Sequence, residues 1–202
     1  MQLWSNFEEK LNGLSFMPLI FIPKVLYKEA SLILRYENDQ LKHEMLSISM
    51  NIKIVKVEQL PKEISRLCDY AKKEHYDGVD KLVDEFNSGQ NTFAADNEHL
   101  VLAYDDTKLI GCGGLNQQFG AEGAEPRIGR VRRFYVHPDY RMHGVGKQIL
   151  AFIEQLARPD YSALCLQTDT TLAARFYQKQ NYVLVENHPN YNYFKYLIST
   201  HE

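Results

Sequence analysis

The apolar positions of the chain change period along its length. Between residues 51 and 57, Ile52, Ile54, Val55 and Val57 recur at close to two, which predicts a first strand. Leu60 and Pro61 then open a helix, proline being suited to a first helical turn, and Ile64, Leu67, Cys68 and Ala71 fall on one of its faces. Gly78 separates this from a second helix carrying Val79, Leu82, Val83 and Phe86, with Gly89 beyond its end. Residues 100–104 and 109–116 return to strand character around Asp105-Asp106-Thr107-Lys108, a hairpin. Gly111, Gly113 and Gly114 thin its second arm and mark either a bulge or a close approach of the backbone to a ligand.

A loop containing glycine and glutamate occupies 119–126, and the pattern is then densest. Residues 127–136 predict a strand closed by His137-Pro138-Asp139. Within it, Arg132 and Arg133 interrupt the alternation between Val131 and Phe134, which predicts a bulge. A turn over 141–147 leads into a helix whose Val145, Ile149, Phe152, Ile153 and Leu156 form one stripe before Pro159. Residues 164–168 predict a buried strand, with Asp169 or Thr170 capping a helix that carries Leu172, Ala173, Phe176 and Gln180 on one face. Asn181 stands where a left-handed C′ residue belongs. Residues 182–186 and 191–198 form a last hairpin around His188-Pro189-Asn190. The order βααβββαβαββ describes an α/β protein with a mixed central sheet flanked by helices. Its fourth and fifth strands, joined through a helix, run parallel with a right-handed crossover.

Composition bounds this picture. A chain of 202 residues with 45% hydrophobic and 24% charged residues suits a soluble globular domain. The recognisable pattern fills 50–202. Residues 1–49 precede it as a partly helical extension, consistent with a docked helix, a contact between two copies in a homodimer, or an upstream addition. The apolar run 16–22 is broken by Pro18 and too short for a bilayer, and the N-terminus lacks the basic region of a signal peptide, so a cytoplasmic protein without a membrane is expected. Cys68, Cys112 and Cys165 show no metal or redox spacing, so no metal is expected.

Charge singles out the turn. Residues 127–147 hold Arg127, Arg130, Arg132, Arg133, Arg141 and Lys147 against Asp139, a local +5 in a chain of net −3. One basic stretch in an acidic chain fits a local anion site better than a nucleic-acid surface. The first amides of a helix lack intrahelical partners, and Gly144 and Gly146 offer no Cβ to obstruct a bulky anion. A Walker loop would need glycine where Arg141 stands and Ser or Thr at Gln148; a dinucleotide fingerprint would need Gly or Ala at Ile149. Instead, Arg141-x-x-Gly144-x-Gly146 after a strand ending at Val136 resembles the pyrophosphate loop of the GNAT superfamily, the acyl-CoA-dependent N-acetyltransferases. A second match follows: Thr170-x-x-Ala173-x-x-x-Tyr177, then Asn181-Tyr182, resembles a family pattern beginning with asparagine and ending in Gly-Phe. The element order extends the resemblance over about 51–198.

The resemblance implies acetyl-CoA as co-substrate. Its pyrophosphate would lie on the amides of Arg141, Met142, His143, Gly144, Val145, Gly146 and Lys147. Its pantetheine arm would lie along Phe134, Tyr135 and Val136, with Thr170 completing the cofactor set. Tyr177 matches the position where relatives keep a tyrosine near the CoA sulfur. Many relatives carry a glutamate on the fourth strand where this chain has Arg130, so no base carries over; Glu122, Glu125, His99 or a water chain remain open. An acyl-cysteine route through Cys112 or Cys165 is disfavoured, and His137 and His143 suit loop or phosphate contacts. The expected activity is acetyl transfer to a primary amine by direct attack, a small molecule being favoured as acceptor. The alternatives are a non-catalytic acyl-CoA-binding or regulatory module, and an acetyltransferase of protein amines.

Overall fold

The computed structural model describes residues 50–118 and 127–197. Its elements are β1 (Ile52–Val57), α1 (Ile64–Lys73), α2 (Gly78–Asn87), β2 (His99–Asp105), β3 (Lys108–Gln117), β4 (Ile128–Val136), a 3-10 turn (Pro138–Tyr140), α3 (Val145–Ala157), β5 (Ala163–Leu166), α4 (Thr171–Lys179), β6 (Val183–Leu184) and β7 (Tyr193–Tyr196). The order matches the one the periodicity predicts. The proposed extension of residues 1–49 and the loop 119–126, with Glu122 and Glu125, lie outside the described residues.

The seven strands form one sheet in the order β1-β2-β3-β4-β5-β7-β6, and β4–β5 is parallel while its other neighbours pair antiparallel. Strand alternation sends successive side chains to opposite faces, and the core divides accordingly. On one face Val101, Ile110, Leu115, Val131 and Leu164 pack with the α3 stripe and with Tyr177 of α4. On the other, Leu100, Leu102, Cys112 and Tyr135 pack with Leu67, Ala71, Val79 and Leu82 of α1 and α2.

The three glycines of β3 resolve one expectation. A Cβ on Gly113 would stand 2.9 Å from Ile153 Cδ1, and one on Gly114 only 2.2 Å from the Phe93 ring. They make room for α3 and for Phe93, so the approach they permit is to the protein's own core and not to a ligand. The bulge is nevertheless there. Gly114 pairs with Arg132 and Cys112 with Tyr135, so Gly113 alone opposes Arg133 and Phe134. Arg133 takes φ +54 at that point, the local kink expected where one strand carries an extra residue.

A largely buried ion pair ties α3 to β7 on the same face of the sheet. Lys195 Nζ of β7 lies 2.8 Å from both Glu154 carboxylate oxygens and 5.4 Å from the Tyr182 ring centroid. Removing one partner of such a pair strands the other's charge. Glu154→Ala is therefore expected to lower the unfolding free energy by about 2 kcal/mol in urea denaturation, below the usual range because a lysine stem can extend toward water.

Candidate functional site

The opening that organises the site arises where β4 and β5 part. Their pairing covers Ile128–Arg130 against Ala163–Cys165. Beyond Arg130, β4 runs on through the bulge to Val136, while β5 ends at Leu166. The two parallel strands thus share only their first residues. Two bulge carbonyls are already engaged: that of Arg133 accepts from Cys112 Sγ at 3.2 Å, and that of Phe134 from the Tyr76 hydroxyl at 3.4 Å.

Past Val136 the chain turns through Pro138–Tyr140 and enters α3. The structure corrects the predicted boundary: helix begins at Val145, so Gly146 and Lys147 belong to its first turn. Gly144 alone is the left-handed residue, φ +79, at the N-cap, where a Cβ would be strained by about 1–2 kcal/mol. The first helical bond runs from Gln148 N to Gly144 O, which leaves the amides of Val145, Gly146 and Lys147 without a backbone acceptor among the described residues. Val145 is buried against the core while Met142 is 90% exposed. His143 Nδ1 meets the Arg141 carbonyl at 2.8 Å, a contact within the turn.

Arg141 does something the sequence does not show. Its Nη1 and Nη2 grip Glu74, just after α1, at 2.7 and 2.5 Å, and its Nε donates to Val136 O at 3.0 Å. The Tyr135 hydroxyl donates to the same carboxylate at 2.6 Å. The side chain thus fastens the turn to α1 and to the end of β4, while its backbone stays with the turn. The Arg141 hydrogen bonds, then that from Tyr135, hold the Glu74 carboxyl below its ordinary range. Because the folded value is depressed, this contribution is complete above the ordinary carboxylate range and is lost as pH falls through the folded value. Arg141→Lys keeps the charge but not the two-pronged geometry. Its acetyl-CoA affinity is expected to fall roughly 10-fold in calorimetric titration at neutral pH.

Tyr177 sits where α3, α4 and β4 meet. Its ring makes edge contacts with Phe134 at 6.0 Å, Phe176 at 5.0 Å and Tyr182 at 5.6 Å. The residue is buried, and burial pushes its phenol far above the ordinary value. No protein acceptor takes its proton among the described residues. Phe176 also reaches the Gly146 amide region, its ring carbons 3.4 Å from where a Gly146 Cβ would stand. Thr170 is the N-cap of α4, its Oγ1 accepting from Ala173 N at 3.3 Å, and Asn181 is left-handed at φ +66, as expected of a C′ residue.

The two carboxylates that contact the second half of β4 among the described residues are both committed. Glu74 is held as described, and Glu85 of α2 receives Arg133 through Nε at 3.2 Å and through Nη2. His99 stands on β2, one strand beyond β3, and burial and then Lys56 lower its pKa. His137 is 1% exposed, accepts from Asp139 N through Nδ1, and lies 3.9 Å from the Tyr70 ring, so its contacts are with its own turn and with α1. Cys112 and Cys165 are fully buried, and burial raises both thiols to about 12, which removes the thiolate an acyl-cysteine route needs. Glu74, Glu85 and Gln118, the groups that tie the arginines down, escaped the sequence reading because each lies far along the chain from its partner. Among the described residues there is no cluster of His, Cys, Asp and Glu fit for a metal, and no helix long and apolar enough to cross a membrane.

Comparison with known proteins places this arrangement. Residues 96–184 match the family model of the acetyltransferase (GNAT) domain. No curated protein matches the sequence. Among solved structures, a protein from Exiguobacterium sp. 255-15, assigned by inference as an acetyltransferase, is similar at 26% identity with a TM-score of 0.63, over 73% of this chain and 94% of that one. An acetyltransferase from Streptococcus agalactiae 2603 shares the fold at 16% identity and TM-score 0.57, over 72% and 98% of the two chains. Ard1 from Thermoplasma volcanium does so at 17% identity and TM-score 0.52, over 73% and 98%. Residues 96–184 thus match the GNAT acetyltransferase domain, and the sheet and the α3 turn described above share the fold of these acetyltransferase structures.

Proposed function

We propose that the chain is an N-acetyltransferase that moves an acetyl group from acetyl-CoA to a primary amine, a small molecule, by direct attack. The observation that carries this reading is the parting of β4 and β5 after Arg130, which ends beside three helix amides without acceptors. Acetyl-CoA, when bound, supplies the thioester. The residues of the chain do the rest. The amides of Val145, Gly146 and Lys147 receive the pyrophosphate, helped by the positive end of α3. The extended backbone of Phe134–Val136 lies along the pantetheine arm, where a strand amide can polarise a carbonyl. Thr170 starts α4 on the other side of the opening. Tyr177 holds a proton at a hydroxyl that gives it to no protein group, a donor placed for sulfur. Deprotonation of the amine falls to a water or to a residue of the 119–126 loop, since Glu74 and Glu85 are both committed to arginines.

The test is calorimetric titration of acetyl-CoA, followed by a broad amine screen that detects free CoA thiol. Micromolar acetyl-CoA binding with thiol release that depends on an amine is the expected result. Tight binding with no turnover over the whole panel would favour a non-catalytic acyl-CoA-binding module, and turnover confined to protein amines would redirect the acceptor class.

A further inference from the structure

On the sheet face opposite α3, the first half of β4 presents arginines where the chemistry of amine activation would ask for carboxylates. Val131 belongs to the α3 face, so Arg130 and Arg132 point to the other. The contacts agree. Arg130 Nη1 donates to Gln118 Oε1 at 3.0 Å, and the same oxygen accepts from Cys165 Sγ at 3.3 Å. Arg132 reaches toward Glu85 of α2, at 3.9 Å.

Charge on this face does not balance. Glu85 already makes its two-pronged contact with Arg133, and Glu98 accepts from the Asn116 amide at 2.7 Å and from Gln117 N at 3.2 Å. Arg130 meets only a neutral amide oxygen, and among the described residues no carboxylate lies at ion-pair distance from it. Both guanidinium groups are partly withdrawn from water, Arg132 to 26% side-chain exposure. A guanidinium cannot shed its charge, so Arg130 without a carboxylate, beside an Arg132 that shares Glu85 with Arg133, leaves the half-buried pair poised for an external anion.

The neighbouring strands supply an apolar wall. Cys165 lies beside Arg130 in register, and Phe194 lies beside Cys165, so the three share a face. Tyr191 stands 5.8 Å from Phe194, ring to ring, and both are partly exposed. Along β4 the arginine pair lies immediately before the bulge and the parted strands, where the transfer would occur.

We propose that this face binds the acceptor, and that the acceptor is an amine carrying a carboxylate, held by Arg130 and Arg132, and an apolar or aromatic side chain that rests on Phe194 and Tyr191. Aromatic α-amino acids have this chemistry. The proposal rests on the transferase reading for its biological meaning, but its recognition element can be tested without turnover. Arg130, in the strand position where a base would be looked for, then serves as an anchor for the substrate's negative end. A carboxylate between two guanidinium forks is fixed in direction as well as place, so the amine is left pointing along β4 toward the bulge.

The experiment titrates N-acetyl-L-phenylalanine and N-acetyl-L-phenylalaninamide into the full chain by calorimetry, with acetyl-CoA titrated separately. The wild type is expected to bind the carboxylate at least about 10-fold more tightly than the carboxamide, as charge-assisted bonds require. Arg130→Gln and Arg132→Gln should each shrink that ratio, and the double variant should erase it, with acetyl-CoA affinity unchanged. Phe194→Ala should weaken both probes alike. Equal affinity for the two probes in the wild type, no binding of either, or a ratio that survives in the double variant overturns the proposal. Failure of acetyl-CoA to bind the wild type would instead overturn the transferase reading, whatever the two probes do.

Discussion

Gly146→Val lowers acetyl-CoA affinity on the order of 100-fold while the protein stays folded. The amide of Gly146 is the middle one of the three at the start of α3 that lack acceptors. Its missing side chain faces the seam between β4 and α4, where a Cβ would lie 3.4 Å from Phe176 and 3.7 Å from Val136 Cγ2. A Cβ alone would fit at van der Waals contact. The two further methyl groups of valine would fill the space over the amides or displace the Phe176 ring. Loss of two charge-assisted hydrogen bonds, at about 1.5–3 kcal/mol each, gives about 100-fold at the low end of that range and more above it. Gly144→Ala is the informative companion. Nothing stands within 4 Å of its Cβ position, so its effect is backbone strain at φ +79 and not obstruction. Lys147→Ala should do least, since a flexible surface charge is screened by salt. Circular dichroism checks folding and calorimetry reads the affinity; a folded Gly146→Val variant that binds like wild type would move the pyrophosphate off this turn.

Tyr177→Phe reduces kcat by roughly 10- to 100-fold and leaves the KM for acetyl-CoA nearly unchanged. The phenyl ring preserves the contacts with Phe134, Phe176 and Tyr182, so binding is spared. The size lies at or below the low end of general-acid effects for a physical reason. A phenol near its ordinary value would match a thiolate in basicity, but burial makes this one a weaker acid. It contributes most by donating a hydrogen bond to sulfur as negative charge develops there. The sign for pH follows: a tyrosine whose value is raised stays protonated through neutral and moderately alkaline pH, so no loss of rate on raising pH in that range should trace to Tyr177. Single-turnover measurements, with chemistry shown to limit the rate, test both points. An unchanged kcat would take Tyr177 out of the mechanism.

The sequence made the order of elements legible because amphipathic periods of two and of 3.6 alternate cleanly from Ile52 onward, with glycine, asparagine and proline at the joints. It was less able to place the edges of α3. Two glycines at 144 and 146 look alike as letters, yet only Gly144 needs a left-handed backbone, and Gly146 is a helical residue made small by Phe176. Arg132-Arg133 signalled the bulge correctly because charge broke a strand's alternation. The role of the arginines was hidden, since Arg141 is satisfied by Glu74 and Arg133 by Glu85, partners 67 and 48 residues away that no local pattern connects. The separation of β4 from β5 was equally hidden as a distance, being a property of two strands that share only three paired residues.

The burial of all three cysteines has a practical outcome for the assays named above. Cys68, Cys112 and Cys165 are the whole thiol content of the chain, each is buried, and burial raises them to about 11, 12 and 12. Thiolate is the form that reacts with disulfide and maleimide reagents, so the native chain should be nearly silent toward them at neutral pH. A coloured thiol reagent then counts released CoA against a flat background. The same reagent, added without substrate, counts opening of the sheet: Cys112 of β3 and Cys165 of β5 become modifiable only when the strands around them come apart, which turns their labelling rate into a residue-level clock for unfolding.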